Sequence, residues 1–479
     1  MQYIRPETNG QPFLTQNMLN YLRIPSFLTG FVNERTTIET AQSGRTVYCY
    51  RGKVTIEESD RVCPKCGSYM HINGHSDIVL RHLNIGKNLS CILFPRTRFM
   101  CPHCGATKSQ HISFKAVGHR ITEELHRYTC DLLAAGTYTN KQVAEITGLG
   151  KNTVKDIDKK RLGGLYTVDV KDKDGNIKTK LIQPDKTTRL LGIDEFKLHN
   201  GRKYATHIID METGHILWIA NGKKKQVVYD FIEHVGLEWM ESVEAVACDM
   251  NSDFQEAFEE KCPHIQPVFD HFHLSKNFND KVVTEVRKEE QARLIAAGDL
   301  LAAAALKKSR YILTAKRSTL QKKDLEGEEG RVIHHGSSLF GTPDIVRKPG
   351  YEEKYDALLK ENKLLFTLDL IKEKLDQAYK ETEETKMAEH LTDIMDICEA
   401  TGNRHLLWFR KLLDKHFEGL IAHATFQITS GKVEGINQKI KTLRRHGYGY
   451  PDDEYFFLKL FDASRKTYDR NPKSHKFCD

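Results

Sequence analysis

The sequence predicts a multidomain α+β protein, and three observations carry that prediction. Two matched Cys-x-x-Cys pairs, Cys63-Pro-Lys-Cys66 and Cys101-Pro-His-Cys104, lie in the amino-terminal third. From Arg189 onward, short apolar runs at strand length precede a helical period and a further apolar run. Between Asn279 and about Phe426 the chain becomes rich in Ala, Leu, Lys and Glu at helical spacing.

Composition bounds the possibilities. A chain of 479 residues exceeds one compact core, so about two to four domains are expected. A hydrophobic fraction of 39% and a charged fraction of 29% exclude a disordered chain. The net charge of +7 is modest, so a polyanion partner has to be argued from local patches. The start, Met1-Gln-Tyr-Ile-Arg-Pro-Glu7, lacks a signal pattern, and no apolar run approaches roughly 18 residues. No membrane partner and a cytoplasmic location are therefore expected. Of the 11 cysteines, four fall in the two pairs and the rest scatter, which favours metal ligation over a disulfide framework.

Residues 1–60 receive no assignment, and 61–112 read as a zinc-binding ribbon. Gly67 and Gly105 follow the second cysteine of each pair and permit the tight turn that aims two thiolates at one ion. Cys63, Cys66, Cys101 and Cys104 together suit tetrahedral, structural Zn2+. Redox motifs are the alternative.

Residues 115–165 read as a helix-turn-helix domain. Thr122–Ala135 has helical spacing, and Thr139–Thr147 and Lys151–Lys160 are two short helices about a glycine-bearing turn. Thr139 or Asn140 caps the first of that pair, and Val143, Ala144, Ile146, Val154 and Ile157 supply its core. Lys151, Asn152, Thr153 and Lys155 open the second, where such motifs contact DNA. An ordinary helical hairpin is the alternative. Residues 166–188, with Asp-Gly and Gly-Asn turn signals, form a linker or hairpin.

Residues 189–278 carry strands over Leu190–Leu198, Ala205–Asp210 and His215–Ala220, then a helix over Gln226–Met240. Strands over Val243–Cys248 and Ile265–Phe269 follow. Three antiparallel strands, a helix and a further strand match the start of a ribonuclease-H-like α/β domain. In that topology Asp194 and Asp249, each at a strand end, become neighbours. Glu195 and Asp253 are not expected to bind metal, because a one-residue shift on a strand turns the side chain over. The stretch 279–426 is too long to belong to that unit and reads as an all-helical insertion, with an exposed loop within Lys322–Gly350. Residues 427–470 return as the domain's final helices. Glu434 opens a basic helix whose Lys439, Lys441, Arg444 and Arg445 can track a phosphate backbone; a generic basic surface helix is the alternative.

In this order the motifs resemble those of DDE transposases of bacterial insertion sequences, specifically the ISL-three family. The resemblance spans nearly the whole chain, from the paired knuckles ending in Arg98-Phe-Met-Cys101 through Gly192-Ile-Asp-Glu195 and Asp270-His-Phe-His273. It ends in the run from Gly431 to Tyr448. It implies that Asp194, Asp249 and Glu434 are catalytic and hold two Mg2+ or Mn2+ ions, which oxygen ligands suit. It also implies that Asp270 and His273 belong to a secondary Asp-x-x-His motif near the site. The expected activity is binding of terminal inverted repeats, metal-dependent DNA cleavage and strand transfer into double-stranded target DNA, by a homodimer or larger synaptic complex. The alternative is a DNA-binding regulator or inactive remnant. A cellular ribonuclease H or resolvase fits the amino-terminal modules poorly.

Overall fold

The computed structural model describes residues 28–41, 44–171, 175–199, 203–250, 253–307, 309–333, 345–346, 348–428, 431–447 and 450–466. The protein is a mixture of helices and sheets that divides into two compact units. One contains Met1–Ile182 and Thr442–Ala463, the other Gln183–Lys441 and Ser464–Asp479.

In the first unit, β1 (Phe31–Thr40), β2 (Thr46–Val54), β3 (His71–Ile85), β4 (Asn88–Met100) and β5 (Thr107–Ser109) make one five-stranded sheet. Its order is β1-β2-β4-β3, with β5 on β4, and β2 runs parallel to β4. Leu28, Leu80, Ile92, Phe94, Ile112 and Phe114 form its core. The sheet therefore begins well ahead of the expected ribbon boundary at 61. Most of β1 is at least partly exposed, which leaves little alternation to read in its sequence. Residues 1–27 of the unassigned segment lie outside the described residues.

Three helices follow: α1 (Glu123–Ala135), α2 (Asn140–Thr147) and α3 (Lys151–Tyr166). Thr139 caps α2 in a reciprocal box with Gln142, and Gly148, at φ 72°, ends it. Leu125, Leu133, Val143, Ala144, Val154 and Ile157 form the shared core, while Ile146 is only half-buried. The stretch 166–188 is a hairpin rather than a bare linker: β6 (Thr167–Lys171) pairs antiparallel with β7 (Ile177–Leu181).

The second unit opens with β8 (Leu190–Lys197), β9 (Tyr204–Asp210) and β10 (Ile216–Asn221), with β9 antiparallel to both neighbours. Then come α4 (Lys225–Val235), β11 (Ala245–Ala247), α5 (Asp253–Lys261), β12 (Gln266–Val268) and α6 (His271–Asn277). The sheet order is β10-β9-β8-β11-β12, with β11 parallel to both β8 and β12. The helix expected over Gln226–Met240 breaks at Gly236, which takes φ 88° and ψ 154°, and a short helix over Leu237–Met240 follows.

The inserted helices share the sheet's core instead of forming their own. Leu191, Val246 and Phe269 belong to the same buried cluster as Leu375, Leu391, Phe409 and Leu420. The backbone joins them too, since Phe269 N donates to Gly419 O at 3.0 Å. The insertion is not wholly helical, because Val332–Ile333 pairs with Ile345–Val346. Of the segment Lys322–Gly350, where an exposed loop was expected, residues 334–344 and 347 lie outside the described residues.

The chain closes with α7 (Gly431–His446) and α8 (Asp453–Arg465). These were expected wholly with the second unit, yet Thr442–Ala463 packs with the first. Tyr455 and Leu458 bury against Leu162, and the Tyr455 hydroxyl and Lys459 Nζ donate to buried Asp158 at 2.7 and 2.9 Å. An unpaired buried carboxylate would be costly, so this network holds α8 on α3. Among the described residues no helix is long and apolar enough to cross a membrane.

Candidate functional site

The register of β8 and β11 places two carboxylates side by side. Ala247 pairs with Gly192, so Asp194 and Asp249 each lie two residues beyond matched partners on parallel strands. Two residues restore the same face. Both line one hollow of about 190 Å³, with Glu195, Asp253, Lys223, Lys224, Ile193 and Phe254. Glu195 and Asp253, set aside on strand alternation, thus share it. Asp253 opens α5, where strand alternation does not apply, whereas Glu195 lies within β8 next to Asp194. Burial raises the Glu195 carboxyl above its usual range; Lys223 opposes this, and Asp194, Asp249 and Asp253 add to it.

Helix α7 meets this edge from the far end of the sequence. Val433 packs against Gly192, and Asn437 Nδ2 donates to Asp194 Oδ2 at 2.7 Å. Lys432 Nζ donates to the Glu212 carbonyl. Glu434 is exposed and sits three residues before Asn437, on the same helical face. Among the described residues, only the four cysteines bring three or more candidate donor atoms within 4.8 Å of one another. Asp194, Asp249 and Glu434 do not converge to that distance.

Histidines lie close to the carboxylates: His273 of the expected Asp-x-x-His motif, and His207 and His416, which the sequence did not single out. His207 lies directly across from Asp194 on β9, fully buried, and among the described residues neither ring nitrogen has a hydrogen-bond partner. Burial pushes its pKa down to about 4, against the pull of Asp194. Only the strand register brings it there. His273 Nδ1 lies 3.5 Å from Asp249 Oδ2, and that contact raises the imidazole pKa although burial opposes it. Asp270 caps α6 by accepting from His273 N at 3.0 Å, while its Oδ2 is buried without a partner. His416, from the inserted helices, packs edge-on against Phe269, with ring centroids 5.1 Å apart.

The cysteines converge at the end of the first unit's sheet. Cys63 Sγ lies 3.5 Å from Cys104 Sγ, Cys66 Sγ 3.5 Å from Cys101 Sγ, and Cys66 Sγ 3.6 Å from Cys104 Sγ. A tetrahedral Zn–S distance of about 2.3 Å requires sulfur separations near 3.8 Å, so the set fits zinc with little adjustment. Gly67 and Gly105 take φ 72° and 67°, and each donates its N–H back to the first cysteine of its pair.

A family model for transposases of the DDE class and ISL-three group matches residues 191–460, more than half of the chain. The chain belongs to the ISL-three family of DDE transposases. The transposase for insertion sequence element IS1001 of Bordetella parapertussis is 26% identical over 402 residues, covering 83% of this chain and 87% of that protein. The transposase for IS1557 of Mycobacterium tuberculosis is 28% identical over 109 residues, 22% of this chain and 24% of that one.

DDE transposases act on DNA, and the residues expected to contact it divide in this one. Lys151, Asn152, Lys441 and Arg445 are exposed, and Thr153 and Lys439 are half-buried. Lys155, by contrast, pairs with Asp452 at 3.0 Å and lies over the Tyr455 ring. Arg444 lies over the Phe456 ring at 5.5 Å. Within the first unit, Lys141, Lys151, Arg445 and His446 line one hollow of about 660 Å³ beside α2 and α3.

Proposed function

We propose that this transposase binds the terminal inverted repeats of an insertion sequence, cleaves DNA at its ends and joins them to target DNA. Asp194, Asp249 and Glu434 are its catalytic carboxylates, the first two carried by a ribonuclease-H-like sheet and its edge and the third by helix α7. The observation that carries the reading is the parallel register that levels Asp249 with Asp194, joined by the Asn437 contact from the helix bearing Glu434.

The donor set fits Mg2+ or Mn2+: the carboxylates are oxygen ligands, and Asn437 Oδ1, Asp270 Oδ2 and both His207 nitrogens nearby are buried without partners. Asp194, Asp249 and Glu434 would hold the ions, which supply the positive charge that activates the attacking oxygen and stabilises the leaving one. Asn437 orients Asp194, and His273 braces Asp249 with Asp270 fixing the turn that carries it. The four cysteines hold a structural zinc that shapes a ribbon, and α2 and α3 act as a helix-turn-helix on the inverted repeats. Lys151, Asn152, Thr153 and Arg445 contact DNA from the first unit, and Lys439 and Lys441 from the second. Synapsis of two ends makes a homodimer or larger assembly the working form.

The test is cleavage of end-containing DNA with Mg2+ by Asp194→Asn, Asp249→Asn and Glu434→Gln proteins. Each is expected to bind ends normally and to cut none. Retained cutting removes that residue from the site. A native chain that binds ends but never cuts them is instead a regulator or inactive remnant.

A further inference from the structure

Among the described residues, Lys223 and Lys224 are the only cations lining the hollow that holds Asp194 and Asp249. We propose that these two lysines grip the DNA phosphodiester against the carboxylate pair, so the site binds its substrate's charge through its own side chains. The inference rests on Asp194 and Asp249 being the catalytic carboxylates.

Three consecutive lysines follow Gly222, and the structure gives them different tasks. Lys225 is committed to α5, with Nζ 2.8 Å from Glu256 and 2.6 Å from Glu260. Lys223 and Lys224 are exposed and turn to the hollow. Lys223 Nζ lies over the Tyr204 ring at 4.7 Å and only 3.9 Å from Glu195, a loose contact that leaves its donors available. Lys224 is the amino-terminal cap of α4 and makes no side-chain capping bond. The positive end of an 11-residue helix therefore opens beside the same hollow.

Charge explains why such groups are needed. The lining brings four carboxylates together, from Asp194, Glu195, Asp249 and Asp253. A phosphodiester entering there meets repulsion unless fixed cations face it. Lysine ammonium groups on the rim supply that attraction and screen the approach. If the lysines only neutralised Glu195 and its neighbours, DNA would leave their exposure unchanged.

The experiment is amine acylation of the full chain with and without end-containing duplex, read by mass spectrometry. Lys223 and Lys224 are expected to label readily in the free protein and several-fold less in the complex, with Lys225 unaffected. Equal labelling in both states overturns the proposal. Lys223→Ala and Lys224→Ala are each expected to slow cleavage on the order of 10- to 100-fold with end binding retained. Lys→Arg should recover most of the loss, and Lys225→Ala should leave the rate unchanged. Full rates in both alanine variants also overturn the assignment. Cleavage that survives Asp194→Asn sinks the carboxylate reading by itself. Cleavage lost in Asp194→Asn with lysine labelling unchanged by DNA sinks only the lysine assignment.

Discussion

Asn437 donates its Nδ2 to Asp194 Oδ2 at 2.7 Å, and the other oxygen of that carboxylate accepts from Glu195 N at 2.8 Å. Both oxygens of Asp194 are thus fixed, one by its own strand and one by a helix near the end of the chain. The link ties the orientation of the carboxylate to the seating of α7. Asn437 is a positioning residue in this arrangement.

Asn437→Ala is expected to lower kcat for end cleavage on the order of 10-fold, the worth of one charge-assisted hydrogen bond. KM for end DNA should hold, because the residue acts through Asp194. Asn437→Asp should be worse, since a like charge at this distance raises the carboxyl pKa and disfavours the ionised pair. Steady-state cleavage kinetics with Mg2+ check both, and equal activity in all three proteins would remove the role.

Gly192 sets how closely α7 approaches β8. A Cβ there would meet Met211 Sδ at 2.5 Å, Val433 Cγ2 at 3.0 Å and Ile209 Cγ1 at 3.1 Å. The methionine can move, but Val433 belongs to the helix that carries Asn437 and Glu434. Gly192→Ala should therefore cost about 1–3 kcal/mol by overpacking and should also impair cleavage. Val433→Ala in the same chain should restore part of both. Thermal melts and cleavage rates read the two effects separately.

Much of this site was legible because its parts are local. Asp194 follows an apolar run within β8 and Asp249 follows the apolar run of β11, and the twin knuckles and the Thr139 cap are short-range chemistry. His207, Lys223 and the Asn437 contact depend on pairings between distant segments, which no periodicity displays. The division of the last helices was hidden for the same reason. It follows from Asp158 on α3 needing Tyr455 and Lys459 from α8. β1 escaped notice because most of it is only partly buried.

Cys101 is buried and Cys104 exposed, yet both belong to one four-sulfur cluster. Cys101→Ser is expected to drop bound zinc from about one per chain to near none, since three thiolates hold the ion far more weakly. The melting transition of the first unit should fall with it. Metal content by mass spectrometry and chelator-dependent unfolding test this; full zinc in the variant would show another ligand set.

His82 is buried, bonded through Nδ1 to Thr122 Oγ1 at 2.9 Å, and burial with help from Arg81 pushes its pKa down to about 4. The unfolded imidazole titrates near 6.5, so between these values the unfolded chain binds the extra proton. Its contribution is present above about pH 6.5 and is lost as pH falls toward 4. Acidifying from pH 7 to 5 should cost on the order of 2 kcal/mol through this group. His82→Gln should flatten that part of the stability profile, measured by denaturant titration at each pH. An unchanged slope would mean that folding does not hold the His82 imidazole neutral.

The cations named for DNA contact should separate by what already holds them. Lys151 and Arg445 line the same hollow and, among the described residues, have no acidic partner. Each alanine substitution should weaken end binding and reduce the slope of log K against log salt by about 0.9, one phosphate contact apiece. Lys155 is tied to Asp452, whose carboxyl is held down to about 2 against the effect of burial by Tyr455 N and by Lys155 and Lys159. Lys155→Ala and Arg444→Ala should instead lower the melting temperature, with a salt slope near that of the native chain. Fluorescence anisotropy over a salt series, set beside thermal melts, reads both quantities. A slope lost in Lys155→Ala would mean that DNA displaces Asp452 and takes that lysine for itself.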